Sequence, residues 1–310
     1  MGERTEMSGA AGPRDGDTAP HHPEAPPLRS AEALGPAVEI VSAGNEVLLG
    51  DVLDTNTNWL CRRITGLGGH VRRAMVLRDD VDAIADELRA AVARRPALVF
   101  TVGGLGPTAD DLTLAAVAEA FGRPLELHPT AEQQVRERYA EFAARGFVPF
   151  AGMNKSRLKM ARLPRGAAPL VNPVGGAPGV LLEIDGVAIV SLPGVPGELK
   201  AIVDGSLAPL LHRVFGSAHY EERALLVDTQ DESAIAHVLA AVEQRHPHVY
   251  VKSRAQRIGS ASVNRITVSA RGRSQAAVDA LLSPVVAELT EGIAAAGFAA
   301  HPDRPDEEGR

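Results

Sequence analysis

Apolar positions along this chain recur in two alternating rhythms. Val38-Glu39-Ile40-Val41-Ser42-Ala43 is a short β-branched run ending at Gly44, and a helical pattern runs from near Asp54 or Thr55 to Gly66, Gly68 and Gly69. These periods predict strand, long loop and helix. His70 to Leu77 reads as a second strand, Val81 to Arg94 as a helix with Ile84, Leu88, Ala91 and Val92 inward, and Leu98 to Val102 as a third strand. Strands alternating with helices of this length predict parallel pairing and right-handed crossovers. Further on, Leu112 to Phe121, Thr130 to Gly146 and Met153 to Met160 read as helices. Val180 to Ile184 and Val187 to Leu192 read as strands joined at Asp185-Gly186, before a helix through Leu199, Ile202 and Val203.

The rhythm changes after Gly216. Glu222 to Asp228 reads as strand, Glu232 to Gln244 as helix, Val249 to Ser253 and Val263 to Ser269 as strands, and Ser274 to Ala296 as helix. This order resembles a small ferredoxin-like layer. The expected fold class is therefore α/β: a three-layer sandwich with a mostly parallel sheet over residues 37–216, plus a small α+β domain over 217–297. Residues 1–36 and 298–310 read as disordered tails, and no internal repeat is found.

Composition narrows the functional classes. The 310 residues carry 32 Lys+Arg against 39 Asp+Glu and one cysteine, so a disulfide scaffold and a four-cysteine zinc site are excluded. Five of the seven net negative charges fall in the first 36 and last ten residues. The nearly neutral body makes no electrostatic case for nucleic acid. The opening segment lacks the apolar run of a secretory signal, so no membrane association and a cytoplasmic location are expected. His21 and His22 stand in a Pro-rich stretch without a scaffold for a metal, and Cys61 reads as a structural residue.

The segment with the most chemistry is Gly103-Gly104-Leu105-Gly106-Pro107-Thr108-Ala109-Asp110-Asp111, directly after the third strand. Ligands of open α/β sheets sit at the carboxyl ends of strands. Gly103, Gly104 and Gly106 let backbone N–H groups approach an anion, and the following helix adds its positive end. The spacing is neither the dinucleotide fingerprint nor a P-loop. Thr108 and Asp111 also form a Thr-x-x-Asp variant of the helix capping box. A functional role has Asp110 or Asp111 holding Mg²⁺ against a pyrophosphate or accepting N–H bonds from a heterocycle. One aspartate can cap while its neighbour binds.

The loop after the first strand brings Asn45, Glu46, Asp54 and Asn56 to a similar place. Glu46 is a candidate metal ligand or proton acceptor, Asn45 has a turn role as its alternative, and Asp54 reads first as a helix cap. Asn172 to Gly179, with Gly175 and Gly176, and Pro193 to Glu198 are candidates for the opposite wall of a cleft. Lys155 and Lys200 read as solvated.

Four separated segments, GNEVLLGDVLDTNTNWL at 44–60, TVGGLGPTADDLT at 101–113, NPVGGAPG at 172–179 and LPGVPGELK at 192–200, resemble the amino-terminal region of the competence/damage-inducible protein A (CinA) family. That region belongs with the molybdopterin-binding MoaB/Mog-like domains, and the resemblance covers roughly residues 38–296. It implies the pterin-binding α/β fold and a phosphorylated small-molecule ligand. Some members act as metal-dependent ADP-ribose pyrophosphatases, whereas related domains bind molybdopterin. It makes Asp110 and Asp111 the leading active-site carboxylates, Gly103, Gly104 and Gly106 the phosphate-facing loop, and Glu46 and Asn56 polar contributors. The main expectation is a Mg²⁺-dependent pyrophosphatase acting on ADP-ribose or a related nucleotide. The alternative is a non-catalytic molybdopterin- or nucleotide-binding module. A homo-oligomer is suggested, and the deamidase activity of full-length members is not expected. Gly176 departs from the family pattern, which usually has Thr there.

Overall fold

The computed structural model describes residues 35–216, 219–229, 231–258 and 261–303. His21, His22 and nearly all of the residues assigned to the tails lie outside them. The first part is a six-stranded sheet in the order β2-β1-β3-β8-β7-β6. Its strands are β1 (Ala37–Ala43), β2 (His70–Leu77), β3 (Leu98–Val102), β6 (Ala168–Leu170), β7 (Gly179–Ile184) and β8 (Val187–Leu192). β2, β1, β3 and β8 are mutually parallel, whereas β7 and β6 join antiparallel at one edge. Every residue of β3 and β8 is buried, as expected of central strands covered on both faces. β4 (Leu125–Leu127) and β5 (Arg162–Pro164) form a separate two-stranded ribbon. The β7–β8 hairpin turns at Asp185 and Gly186, both at positive φ, which suits the twist of a tight hairpin.

Helices cover both faces of the sheet. On one, α3 (Val81–Ala93), α4 (Thr113–Phe121) and α5 (Pro129–Ala144) pack Ile84, Leu88, Val117 and Val135 against Val41, Val99 and Ile189. On the other, α2 (Thr55–Gly66), α7 (Pro196–Asp204) and α8 (Ala208–Phe215) pack Leu60, Ile64, Leu199 and Phe215 against Ile40, Phe100 and Val190. This is the three-layer sandwich that the alternating rhythm predicts. Two short helices, α1 (Asn45–Leu48) and α6 (Lys155–Met160), lie in the connections.

Two charged residues sit inside this framework, Glu39 and Arg157. Glu39 of β1 is 1% exposed, and its carboxylate accepts from Arg72 Nη2 at 2.5 Å and Arg94 Nη2 at 2.6 Å. Burial alone opposes its ionisation, but the two guanidinium groups hold its pKa below the ordinary glutamate range.

A second, four-stranded antiparallel sheet has the order β10-β11-β9-β12, from β9 (His219–Val227), β10 (Val249–Ile258), β11 (Ala261–Gly272) and β12 (Ala300–Pro302). α9 (Ala236–Arg245) and α10 (Gln275–Ala295) pack on one face around Leu225, Val251, Ile266, Val268, Leu282 and Leu289. With strands numbered from β9, the order 4-1-3-2 is that of a ferredoxin-like layer. β12 corrects the sequence reading, which placed residues 298–310 in a tail. Ala300 and Pro302 pair with Val227 and Leu225, so the sheet gains its fourth strand. Among the described residues no helix is long and apolar enough to cross a membrane.

Candidate functional site

The parallel strands β1, β3 and β8 all end at one edge, and the loops that leave them surround a cleft of about 600 Å³. Gly44 and Glu46 follow β1, Gly103 to Pro107 with Asp110 and Asp111 follow β3, and Pro193 to Pro196 follow β8. Glu198 at the start of α7, Gly176 and Tyr139 close the far side. Of the residues singled out in the sequence, Glu46, Gly103, Gly104, Gly106, Asp110, Asp111, Gly176 and Glu198 line this one space.

The glycines have separable roles. Gly103 and Gly104 adopt φ of 93° and 66°, in the left-handed region that side chains avoid. A Cβ at Gly103 would fall 2.3 Å from the Ala43 carbonyl oxygen, and one at Gly104 2.3 Å from Thr113 Oγ1. Gly103 therefore lets β3 leave the sheet against β1, and its N–H donates to Leu192 O at 2.9 Å. That amide serves the fold and is not free for an anion. Among the described residues, the N–H groups of Gly104, Leu105 and Gly106 have no hydrogen-bond acceptor. Three successive unpaired amides at the cleft are the anion-binding feature that the glycine pattern points to.

Thr108 and Asp111 do not cap the following helix. α4 begins at Thr113, with Leu112 at its N-cap position and no side-chain cap bond. Instead, Asp111 Oδ2 accepts from Thr108 N at 2.8 Å and Thr108 Oγ1 at 2.6 Å, which closes the preceding turn on itself. Gly106 makes room for that carboxylate, since a Cβ there would lie 2.6 Å from Asp111 Oδ2. Asp110 is exposed, and the Thr108 hydroxyl beside it is the main reason its carboxyl sits below the usual range. Thr108 itself is not among the residues lining the cleft.

A cation at this turn escaped the sequence reading. Lys159 Nζ donates to the carbonyl oxygens of Thr108 and Asp111, the latter at 2.8 Å, and so holds the loop from α6. Lys155 and Lys200, the two lysines considered from the sequence, are exposed, and Lys200 lies over the Trp59 ring at 5.8 Å. Asp79 was also missed: it lines the cleft and accepts from Asn45 N at 2.9 Å. Asn45 itself stays outside the cleft. Asn56 acts at one remove, donating from Nδ2 to Gly194 O at 2.6 Å and so supporting the loop after β8. Its buried Oδ1 has no partner among the described residues.

The opposite wall is built around Glu198. Asn172 Nδ2 donates to Glu198 Oε2 at 2.7 Å and to Ala177 O at 2.7 Å, while Asn172 Oδ1 accepts from Gly175 N at 2.8 Å. Burial pushes the Glu198 carboxyl above the ordinary range, against smaller lowering effects of the Asn172 amide and Arg138. A Cβ on Gly175 would sit 1.8 Å from Glu198 Oε2, so this glycine supplies the space the carboxyl occupies. Gly176 has a different neighbour. Its Cβ would lie 3.0 Å from Tyr139 Cε2, so the aromatic ring fills that side of the cleft.

The donor set bears on the metal expectation. Among the described residues no group of three or more His, Cys, Asp and Glu is placed to hold a metal ion. Asp110 and Asp111 both accept from the Thr108 hydroxyl, and among the described residues no third acidic or histidine side chain joins them in a metal-holding group. Mg²⁺ binding through these two aspartates is therefore not supported.

The fold is a mostly parallel α/β sheet whose strand ends open onto a glycine-walled cleft. The comparisons give the family. Residues 39–213 match the model of a probable molybdopterin binding domain, and the chain belongs to that family. A protein from Aeropyrum pernix is 43% identical over 238 residues, covering 76% of this chain and 85% of its own. One from Pyrobaculum calidifontis is 42% identical over 218 residues, covering 70% and 80%. Among solved structures, CinA from Thermoplasma acidophilum, a protein of unknown function, aligns at 33% identity with a TM-score of 0.52 over 57% of this chain and 98% of its own.

Proposed function

We propose that this chain is a binding module for a phosphorylated pterin of the molybdopterin type, with the phosphate held by the loop after β3 and the heterocycle against the Glu198 wall. The observation that carries this reading is that Gly104, Leu105 and Gly106 line the cleft with backbone N–H groups that have no acceptor among the described residues. An anion placed there gains three backbone donors without the desolvation of a lysine or arginine. Asp110, which lines the same cleft, offers its carboxylate to ring N–H donors at the edge of the heterocycle.

A metal-dependent pyrophosphatase needs a held metal and a water aligned with phosphorus, and the carboxylate arrangement favours neither. The family model describes a probable binding domain, which agrees with binding as the primary role. The test is isothermal titration of a phosphorylated pterin into the full chain, with Asp110→Asn as the variant. Saturable binding at one site per chain, weakened about tenfold or more by Asp110→Asn with unchanged melting temperature, is expected. No binding by the parent chain would sink the proposal. Release of AMP from ADP-ribose that requires Mg²⁺ and is lost in Asp110→Asn would replace it with the hydrolase.

A further inference from the structure

Resting on the pterin reading proposed above, we infer that Glu198 reads the amino-pyrimidinone edge of the heterocycle, so that the cleft selects a ring with a 2-amino group beside a ring N–H over one with an oxo group in its place. Glu198 lines the cleft from the first turn of α7, and one side chain donates to its carboxyl, Asn172 Nδ2 at 2.7 Å from Oε2. Oε1 accepts no hydrogen bond among the described residues. Unlike the partnerless atoms shut in the interior, such as Asn56 Oδ1, it stays open to the cleft.

The backbone fixes the polarity of the Asn172 contact. Asn172 is 4% exposed; its Oδ1 accepts from Val174 N at 3.1 Å and Gly175 N at 2.8 Å, and its Nδ2 also donates to Ala177 O at 2.7 Å. Turning the amide over would set its NH₂ against two N–H donors and its oxygen against a carbonyl. Asn172 can therefore only donate to Glu198, and Oε2 is held as an acceptor. Gly175 gives the carboxyl its room, since a Cβ there would lie 1.8 Å from Oε2 and 2.4 Å from Oε1. One oxygen is pinned and the other is left to the ligand.

A half-paired carboxylate in a cleft wall calls for further donors. Burial raises its pKa, and the Asn172 amide and the Arg138 charge offset only part of that effect. Arg138 directs its N–H groups elsewhere: Nε and Nη2 donate to Gly175 O at 3.3 Å and Val174 O at 2.8 Å, and Nη1 pairs with Glu141. A carboxylate accepts up to about four hydrogen bonds through its two oxygens. The 2-amino group and the adjacent ring N–H of a pterin form a pair of parallel donors, the geometry by which a guanidinium meets a carboxylate. A 2-oxo ring turns an acceptor toward the carboxylate instead, and two sets of lone pairs then face each other.

The probes are pterin-6-ylmethyl phosphate and its lumazine counterpart, identical except that an oxo group replaces the 2-amino group. Each is titrated into the full chain, into Glu198→Gln and into Asp110→Asn, with the fold of each variant checked by circular dichroism. In Glu198→Gln, Asn172 still requires an acceptor, so the new amide oxygen turns to Asn172 and its NH₂ to the cleft, which inverts the demand on the ligand. Expected is a parent chain that binds the pterin about tenfold or more tighter than the lumazine, and a preference lost or reversed in Glu198→Gln. The parent's own preference tests the inference whether or not that variant folds. If the parent binds neither compound, the pterin reading fails and the edge assignment with it. If it binds both equally, the pterin reading stands and the edge assignment is overturned. A folded Glu198→Gln that keeps the parent's preference overturns it too, as does a preference erased by Asp110→Asn, which puts the amino edge at Asp110.

Discussion

Glu198 shows how one residue's chemistry depends on neighbours that its sequence position does not reveal. Its place in PGVPGE marks it as a polar candidate, but its surroundings come from Asn172 and from the bare Cα of Gly175, more than twenty positions earlier. Burial raises its pKa, so the folded chain takes up a proton more readily than the unfolded one. The stability this contributes is fully present below about pH 4.3 and is lost as pH rises through the raised folded value. Glu198→Gln removes that loss. Its melting temperature relative to the parent is expected to be higher at pH 7 than at pH 4, as scanning calorimetry would measure. An offset that does not change with pH refutes the buried-carboxyl account. Glu39 is the reverse case: a charge in an apolar strand, unremarked in the sequence, is stabilised by Arg72 and Arg94 from β2 and from the end of α3.

At the scale of elements, periodicity was a good guide to long segments and a poor one to their ends. Asp54 was read as a helix cap, and its carboxylate accepts from Thr57 N at 2.9 Å and Thr57 Oγ1 at 2.6 Å at the start of α2. Asp54→Ala is expected to cost about 1 kcal/mol in a urea melt with little change in the slope. A loss well above 2 kcal/mol would mean that the loop from Gly44, not only the helix end, depends on this residue. Thr108 looked equally suited to capping and does something else, because Asp111 folds back on it and α4 starts five residues later. Capping propensity cannot tell the two apart, since both use the same short-range hydrogen bonds. β12 was missed for a related reason. Three residues carry no readable period, and their pairing with β9 depends on a chain segment over seventy positions away.

At the scale of the molecule, Arg271 of β11 reaches across to the first part of the chain, at Phe215 and Gly68. Replacing it with Ala removes the bond to Phe215 O and uncovers Gly68. Arg271→Ala is expected to lower the melting temperature and to broaden or split the calorimetric transition, as the core around Leu282 and Leu289 uncouples from that around Phe100. One sharp, unshifted transition would show that the sheets are coupled by other contacts. The sequence alone determined the α/β alternation, the strand preceding the glycine loop, the ferredoxin-like rhythm of the later half and most of the residues that line the cleft. Those follow from local periods and from backbone freedom that only glycine allows. Tertiary structure decided which loop amides remain unpaired, that Asp111 closes a turn and that Lys159 holds it. Each of these rests on partners brought together by packing across long stretches of chain, and no local pattern encodes which distant atom will arrive.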